Sequence, residues 1–333
     1  MNKNTNKKIR VIQYGLGPIG CATARLIAER DNLELVGGVD IDPEKTGKDL
    51  GEVIGLDKPL GIDVKDKEAD VGADADVIMH TTNSHFDQFR EQVLDLLDRG
   101  YDIVSTSEEL SFPWQDNPEE AAAIDAVARK VGKTVLGTGV NPGFLMDSLP
   151  LFLTSIAQNV DHIDVVRVIN ATTRRGPFQA KIGSGMTVDA FNAKIAEGRM
   201  GHVGIPESVA MIFDTLGKEL VRFENNVEPV VATTPIKTPF FDVQEGQVRG
   251  LHQTAIGETS DGEFVRLTFR AALDEEPDGD TITIKGHPEL VIKLQGTNGD
   301  LSTSAIAVNA IKNTHNAAPG VVTMRDLPIV TIF

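Results

Sequence analysis

Gly15-Leu16-Gly17-Pro18-Ile19-Gly20 follows the apolar pair Val11-Ile12 and precedes a stretch with apolar residues at helical spacing. A glycine triplet of this kind often arises by chance, but between a strand and a helix it demands a particular backbone. The first glycine permits a tight turn, the second lets a pyrophosphate approach the main chain, and the third allows the helix to pack closely on the strand. The helix start, with Pro18 and Ile19 in its first turn, then offers NH groups and a positive dipole end to phosphate oxygens. Asp40 ends the next apolar run, where a carboxylate accepts hydrogen bonds from the adenosine ribose hydroxyls. The plainer reading is a structural turn with Asp40 capping a loop. Asp40 would repel a ribose 2′-phosphate, which favours NAD over NADP, while Lys45 offsets part of that repulsion and keeps both in play.

Residues 1–150 alternate short apolar runs with longer amphipathic ones, the pattern of a doubly wound α/β unit with a parallel sheet. Strands are expected at 8–14, 33–40, 75–80, 101–105 and 134–137, with helices at 19–30, 85–99 and 117–131 between them. After residue 150 the texture changes to successive β-rich runs at 164–170, 228–234, 247–257, 262–272, 280–285 and 289–294. These predict a second, α+β domain over 151–300 with a mixed or antiparallel sheet, turning at Ser260-Asp261-Gly262. Helical spacing returns at 302–313, and the apolar segment from 320 is expected to dock back on the first domain. The organisation is therefore a Rossmann domain (1–150), an inserted α+β domain for the substrate (151–300), and a returning segment (301–333).

Composition removes several classes. Lys plus Arg number 32 against 49 Asp plus Glu, a formal net charge of −17, which repels nucleic-acid phosphates and anionic lipid surfaces. No apolar run approaches a bilayer span, and residues 1–10 resemble a solubilising tail rather than a signal peptide. The single cysteine, Cys21, forms neither an intrachain disulfide nor a zinc site alone, so a cytoplasmic protein without nucleic-acid or membrane partners is expected. The histidines lack metal-binding spacing and no nucleophile elbow occurs, so neither metal-assisted nor serine-hydrolase chemistry is indicated.

In a doubly wound fold, ligands lie beyond the carboxyl ends of the strands, and three segments fall there. His80-Thr81-Thr82-Asn83 offers Thr81, Thr82 and Asn83 to the nicotinamide ribose or pyrophosphate, although Asn83-Ser84 equally suits a helix cap and His80 a packed strand end. Ser105-Thr106-Ser107-Glu108-Glu109-Leu110 places two adjacent carboxylates there, of which one is expected to face the cleft and one solvent. Glu108 is the candidate catalytic residue: a shielded carboxylate beside a nicotinamide takes a proton from ammonium or water and stabilises an iminium cation. The alternative is a solvated acidic pair at a helix start. Thr138-Gly139-Val140-Asn141-Pro142-Gly143-Phe144 directs backbone NH groups and the Asn141 side chain toward the cofactor, although a helix cap explains Asn141 equally well, with Pro142 in the first turn of a helix running to Ile156.

Taken together, the Gly-rich turn, Ser105 to Glu109, Gly137 to Phe144 and Ala318-Pro319-Gly320 resemble the 2,4-diaminopentanoate dehydrogenase and native amine dehydrogenase family, within the dihydrodipicolinate-reductase-like group. That resemblance implies reductive amination of small ketones or aldehydes with NAD(P)H and ammonia, the reverse oxidative deamination of amines, Glu108 as the group that activates ammonia or water, and a homodimer. The His-His-x-x-Lys-x-Asp signature of true dihydrodipicolinate reductases is absent. Substrate contacts are expected from Phe144, Met146 and Phe178 as apolar walls, the last on a closing loop or a plain surface loop. Arg167 is either a receptor for a substrate carboxylate or half of an interstrand ion pair. Two other functions fit the same fold: a dehydrogenase of hydroxyl or semialdehyde substrates, and a dinucleotide-sensing binding module.

Overall fold

A computed structural model of the chain describes residues 7–333; the first six residues of the expected N-terminal tail lie outside them. The chain divides into two compact units, Met1–Phe144 with Asn298–Phe333, and Leu145–Thr297. In chain order the first unit opens with β1 (Ile9–Tyr14), α1 (Pro18–Ala28), β2 (Leu33–Val39), α2 (Leu50–Val53), β3 (Val77–His80), α3 (Phe86–Asp98), β4 (Asp102–Ser105), α4 (Pro118–Val131) and β5 (Thr134–Gly137). The second unit holds α5 (Ser148–Leu153), β6 (Asn159–Asn170), α6 (Gly176–Lys181), α7 (Val188–Ala196), α8 (Ile205–Thr215), β7 (Arg222–Val231), β8 (Ile236–Lys237), β9 (Asp242–Val243), β10 (Val248–Thr259), β11 (Gly262–Ala272), β12 (Gly279–His287) and β13 (Leu290–Leu294). The chain then returns to the first unit as α9 (Gly299–His315) and β14 (Gly320–Val322).

In the first unit a parallel sheet runs in the order β14-β5-β4-β3-β1-β2. Successive side chains on a strand face opposite ways, so β1 sends Val11 into one apolar layer and Ile12 into the other. The Val11 layer includes Ala24 and Ile27 of α1 and Ala307, Val308 and Ile311 of α9. The Ile12 layer includes Phe89, Val93, Leu96 and Leu97 of α3 and Ile124 and Ala128 of α4. Both layers use the three- and four-residue spacing that places one helix face on the sheet. Pro18 and Pro118 occupy first helical turns, where their missing NH removes no intrahelical bond. At the other end of α4, Gly132 adopts φ 71° and closes the helix.

The second unit is built on a mixed sheet in the order β13-β12-β6-β11-β10-β7, with β6 and β11 parallel and the other neighbours antiparallel. Its buried row on β6 reads Ile163, Val165, Arg167, Ile169 at a period of two. α8 lies against this sheet so closely that a Cβ on Gly257 of β10 would come within 3.0 Å of Val209 and Phe213. Three helices here, α6 to α8, were not anticipated: α6 and α7 carry few turns, and α8 is buried continuously from Glu207 to Phe213, so it shows an apolar run in place of a one-sided period. The segment with Phe178 is one of them: it begins α6 rather than forming an open loop.

The expected helix from Pro142 to Ile156 also differs. Gly143 takes φ +116°, which breaks helical propagation, and the helix starts only at Ser148 with the Asp147 carboxylate accepting from the Ser148 NH. The unit boundary correspondingly falls between Phe144 and Leu145 rather than at 150.

Candidate active site

The glycine loop is held from beneath by a side chain that sequence reasoning passed over. Gln13, fully buried near the end of β1, donates from Nε2 to the Gly15 carbonyl (3.0 Å), the Met79 carbonyl (3.2 Å) and Thr81 Oγ1 (2.8 Å). Its Oε1 accepts from the Thr23 hydroxyl at 2.7 Å. Thr81 in turn donates to the Gly15 carbonyl at 2.8 Å. Gly15 itself sits at φ +90°, where an L side chain is strained, and a Cβ on Gly20 would strike the Gly15 carbonyl. A Cβ on Gly17 would meet nothing within 4 Å, so the loop is open there. The first-turn NH groups of α1, which have no intrahelical acceptors, supply the donors a pyrophosphate requires, so the loop fits a dinucleotide.

Asp40 is more occupied than its motif position implies. One carboxylate oxygen accepts from the Leu16 NH at 2.7 Å and the other from the Asp42 NH at 2.9 Å, so the residue fastens the glycine loop to the end of β2. Lys45 Nζ lies 3.2 Å from both Asp40 and Asp42, which places a positive charge where a ribose phosphate would otherwise meet only carboxylates.

At the carboxyl end of β3, His80 is completely buried and stacked on Tyr14. Nδ1 is 2.9 Å from Ser105 Oγ, and Nε2 is 2.9 Å from Gln92 Oε1 and 3.0 Å from Thr82 Oγ1. Burial pulls its pKa down to about 4, so the ring is neutral. A neutral ring has one NH; Gln92 Oε1 can only accept, so Nε2 carries the proton and Nδ1 accepts from Ser105. Ser105 Oγ also accepts from the Ser107 NH at 3.1 Å. His80 thus links the Thr82 segment to the turn that carries Glu108. Asn83 is exposed, and the N-cap of α3 is His85 rather than Asn83 or Ser84.

That cap explains the acidic pair. Glu109 accepts from the Phe86 NH at 2.5 Å and lies 2.7 Å from His85 Nδ1, so it serves the start of α3. Glu108 is half-buried, has no side-chain partner among the described residues, and lines a cavity of about 40 Å³. Ser111, Thr138, Asn141 and Thr303 share that wall. The turn holding Glu108 is seated directly on β5: a Cβ on Gly137 would come within 3.0 Å of the Leu110 carbonyl and the Ser111 nitrogen. Ser111 and Thr303 carry no motif and were missed, and Thr138, although it heads the Thr138–Phe144 segment, was not singled out; their approach in space marks all three.

The expected substrate contacts fare unevenly. Phe144 is 36% exposed at the end of the first unit. Met146 is fully buried in the second, and Phe178 is half-buried with the Arg174 guanidinium 4.5 Å above its ring. Arg167 lies 3.6 Å from Asp280, its register partner on β12, with the two side chains 2% and 3% exposed. The interstrand ion pair is therefore the alternative that forms, and an open carboxylate receptor at Arg167 is not built. Among the described residues no helix is long and apolar enough to cross a membrane, and no group of metal-ligating side chains is assembled.

A six-stranded parallel sheet with a glycine loop at the first strand-helix turn and an acidic, hydroxyl-lined cavity beyond its carboxyl edge defines a pyridine-nucleotide dehydrogenase fold. A family profile described as the 2,4-diaminopentanoate dehydrogenase C-terminal domain matches residues 144–333, and one described as the dihydrodipicolinate reductase N-terminus matches 9–106. The chain belongs to the 2,4-diaminopentanoate dehydrogenase family. It is 31% identical to the 2,4-diaminopentanoate dehydrogenase of Acetoanaerobium sticklandii over 97% of this chain and 94% of that one. With an amine dehydrogenase of Streptomyces virginiae it shares 23% identity over 96% of both. The amine dehydrogenase structure from Mycobacterium smegmatis superposes with a TM-score of 0.89 at 24% identity, covering 99% and 98% of the two chains, and shows the same fold.

Proposed function

We propose that this protein is an NAD(P)-dependent amine dehydrogenase that interconverts a small ketone or aldehyde plus ammonia with the corresponding amine. The observation that carries the reading is the division of labour in the acidic pair: Glu109 is spent on α3, while Glu108 faces a polar cavity with no partner among the described residues. Family membership and the names of the two full-length relatives support the same chemistry. The glycine loop, with α1 behind it, holds the dinucleotide phosphates, and Lys45 beside Asp40 leaves room for either NAD or NADP. Thr82 and Asn141 flank the nicotinamide end, and Phe144 contributes an apolar wall for the substrate.

When bound, the nicotinamide supplies or accepts a hydride at C4. Glu108 handles the protons: it accepts one from ammonium, returns one to the carbonyl oxygen as the carbon–nitrogen bond forms, and as a carboxylate stabilises the iminium cation. His80, neutral and fixed by Ser105 and Gln92, holds the strand end from which this turn departs. The reading includes a cytoplasmic homodimer, whose mass light scattering measures directly.

The test is oxidation of NADH and NADPH with a panel of small ketones and aldehydes, with and without ammonium. Ammonium-dependent turnover is expected, and Glu108→Gln should lower kcat by about 10²–10⁴-fold, the usual contribution of a positioned acid–base, with dinucleotide binding retained. Turnover that ignores ammonium would instead indicate a hydroxyl or semialdehyde dehydrogenase, and tight dinucleotide binding without turnover a sensor.

A further inference from the structure

We propose that the cavity beside Glu108 is the seat of the one-heavy-atom nucleophile, ammonia in the amine-forming direction and water in the reverse, and that Ser111 and Thr138 are the residues that hold it. This rests on the amine dehydrogenase reading and adds two binding residues to it.

The free space here, about 40 Å³, admits a molecule of the size of water. The hydroxyls select its chemistry. Two on this wall are already used: Ser107 Oγ is bonded to Ser105 Oγ at 3.0 Å, and Thr303 Oγ1 accepts from the Val140 NH at 3.3 Å. Ser111 Oγ and Thr138 Oγ1 are buried, each residue 2% exposed, with no hydrogen-bond partner among the described residues. Buried hydroxyls are nearly always bonded, so such a pair beside an unpaired carboxylate marks the place of a small polar molecule.

Ammonia has three N–H groups and one lone pair. Glu108, Ser111 Oγ and Thr138 Oγ1 provide three acceptors, which leaves the lone pair free for a carbonyl carbon. Ammonium arriving at this seat gives one proton to the Glu108 carboxylate. The nitrogen lone pair then forms the carbon–nitrogen bond, the carbonyl π pair moves to oxygen, and Glu108 returns its proton there. Glu108 then takes a second proton from nitrogen and passes it to the new hydroxyl, so that the carbon–oxygen bond cleaves, water leaves, and the nitrogen lone pair closes the iminium, with no net proton drawn from solvent. The reduced dinucleotide converts that iminium to amine. In the opposite direction water occupies the seat and attacks the iminium carbon.

Full-length Ser111→Ala and Thr138→Val remove one hydroxyl each with little change of shape, and Thr138→Ser keeps it. Ammonium chloride is varied at saturating carbonyl substrate and reduced dinucleotide, with potassium chloride holding ionic strength constant. The KM for ammonium is expected to rise about tenfold in each hydroxyl-less variant, the KM values for carbonyl and dinucleotide to stay within twofold, and Thr138→Ser to lie within threefold of wild type. An unchanged ammonium KM in both variants, or a rise in the dinucleotide KM instead, overturns the seat while the amine dehydrogenase reading stands. Wild-type protein without ammonium dependence overturns both. Thermal unfolding identifies a variant that fails to fold, and the other variant then decides.

Discussion

Replacing Arg167 with methionine tests whether this arginine serves the fold or a ligand. Its guanidinium lies 3.6 Å from Asp280, and both side chains are almost completely enclosed, so the substitution strands a carboxylate between β6 and β12. Removing one member of such a pair costs about 3–5 kcal/mol, whereas replacing both by apolar residues of similar volume is close to neutral or favourable. Arg167→Met and Asp280→Leu should therefore each destabilise the second unit by about that amount, and the double variant should return to within about 1 kcal/mol of wild type. Burial already holds the Asp280 carboxyl above its ordinary value, and Arg167 opposes that rise. Without Arg167 the native carboxyl retains its proton further into the neutral range. The folded state then binds more protons than the unfolded one, so stability of the single variant falls more steeply than wild type as pH rises above about 4. Hydrogen exchange of the β6 and β12 amides in the intact chain, read by peptide mass spectrometry from pH 5 to 8, follows both effects. Wild-type exchange protection in Arg167→Met, together with a raised KM for a carboxylate-bearing substrate, would refute the structural pair.

Gly137→Ala should be as damaging to the site as a change in Glu108 itself: the new Cβ meets the Leu110–Ser111 backbone, which must move, and a displacement of about 1 Å costs on the order of 10² in kcat. The comparison of kcat in Gly137→Ala with that in an exposed control such as Gln88→Ala on α3 checks it. His315 donates to or pairs with Asp102 at 2.9 Å, and that hydrogen bond raises its pKa above 6.5. Its contribution is complete below 6.5 and disappears as pH climbs through the raised native value, so wild-type melting temperature should fall across that window and His315→Gln should flatten the fall.

What the sequence made legible was whatever repeats or sits at fixed offsets. The strand at 134–137 and the strand from Gly262 to Ala272 were read to the residue, because β-branched runs end at glycine or at a turn. Glu108 was separable from Glu109 only as a choice, since adjacent carboxylates look alike until Phe86 and His85, more than twenty residues earlier, claim one of them. Gln13, Ser111 and Thr303 carry no local signal at all: their significance comes from burial and from neighbours far along the chain. Arg167 shows the opposite limit. A buried arginine in a strand has the same sequence signature whether it awaits a ligand or already faces an aspartate across the sheet.

The order in which the first sheet is completed has a consequence for biosynthesis. β5 acquires its outer neighbour, β14, only when Gly320 to Val322 have been made, and the whole second unit intervenes. A ribosome releasing this chain from the N-terminus therefore leaves the flank of β5 bare for more than half of translation. During that interval the nascent protein offers unpaired strand amides to any other extended segment, and a chain that stops short of residue 320 keeps that liability permanently.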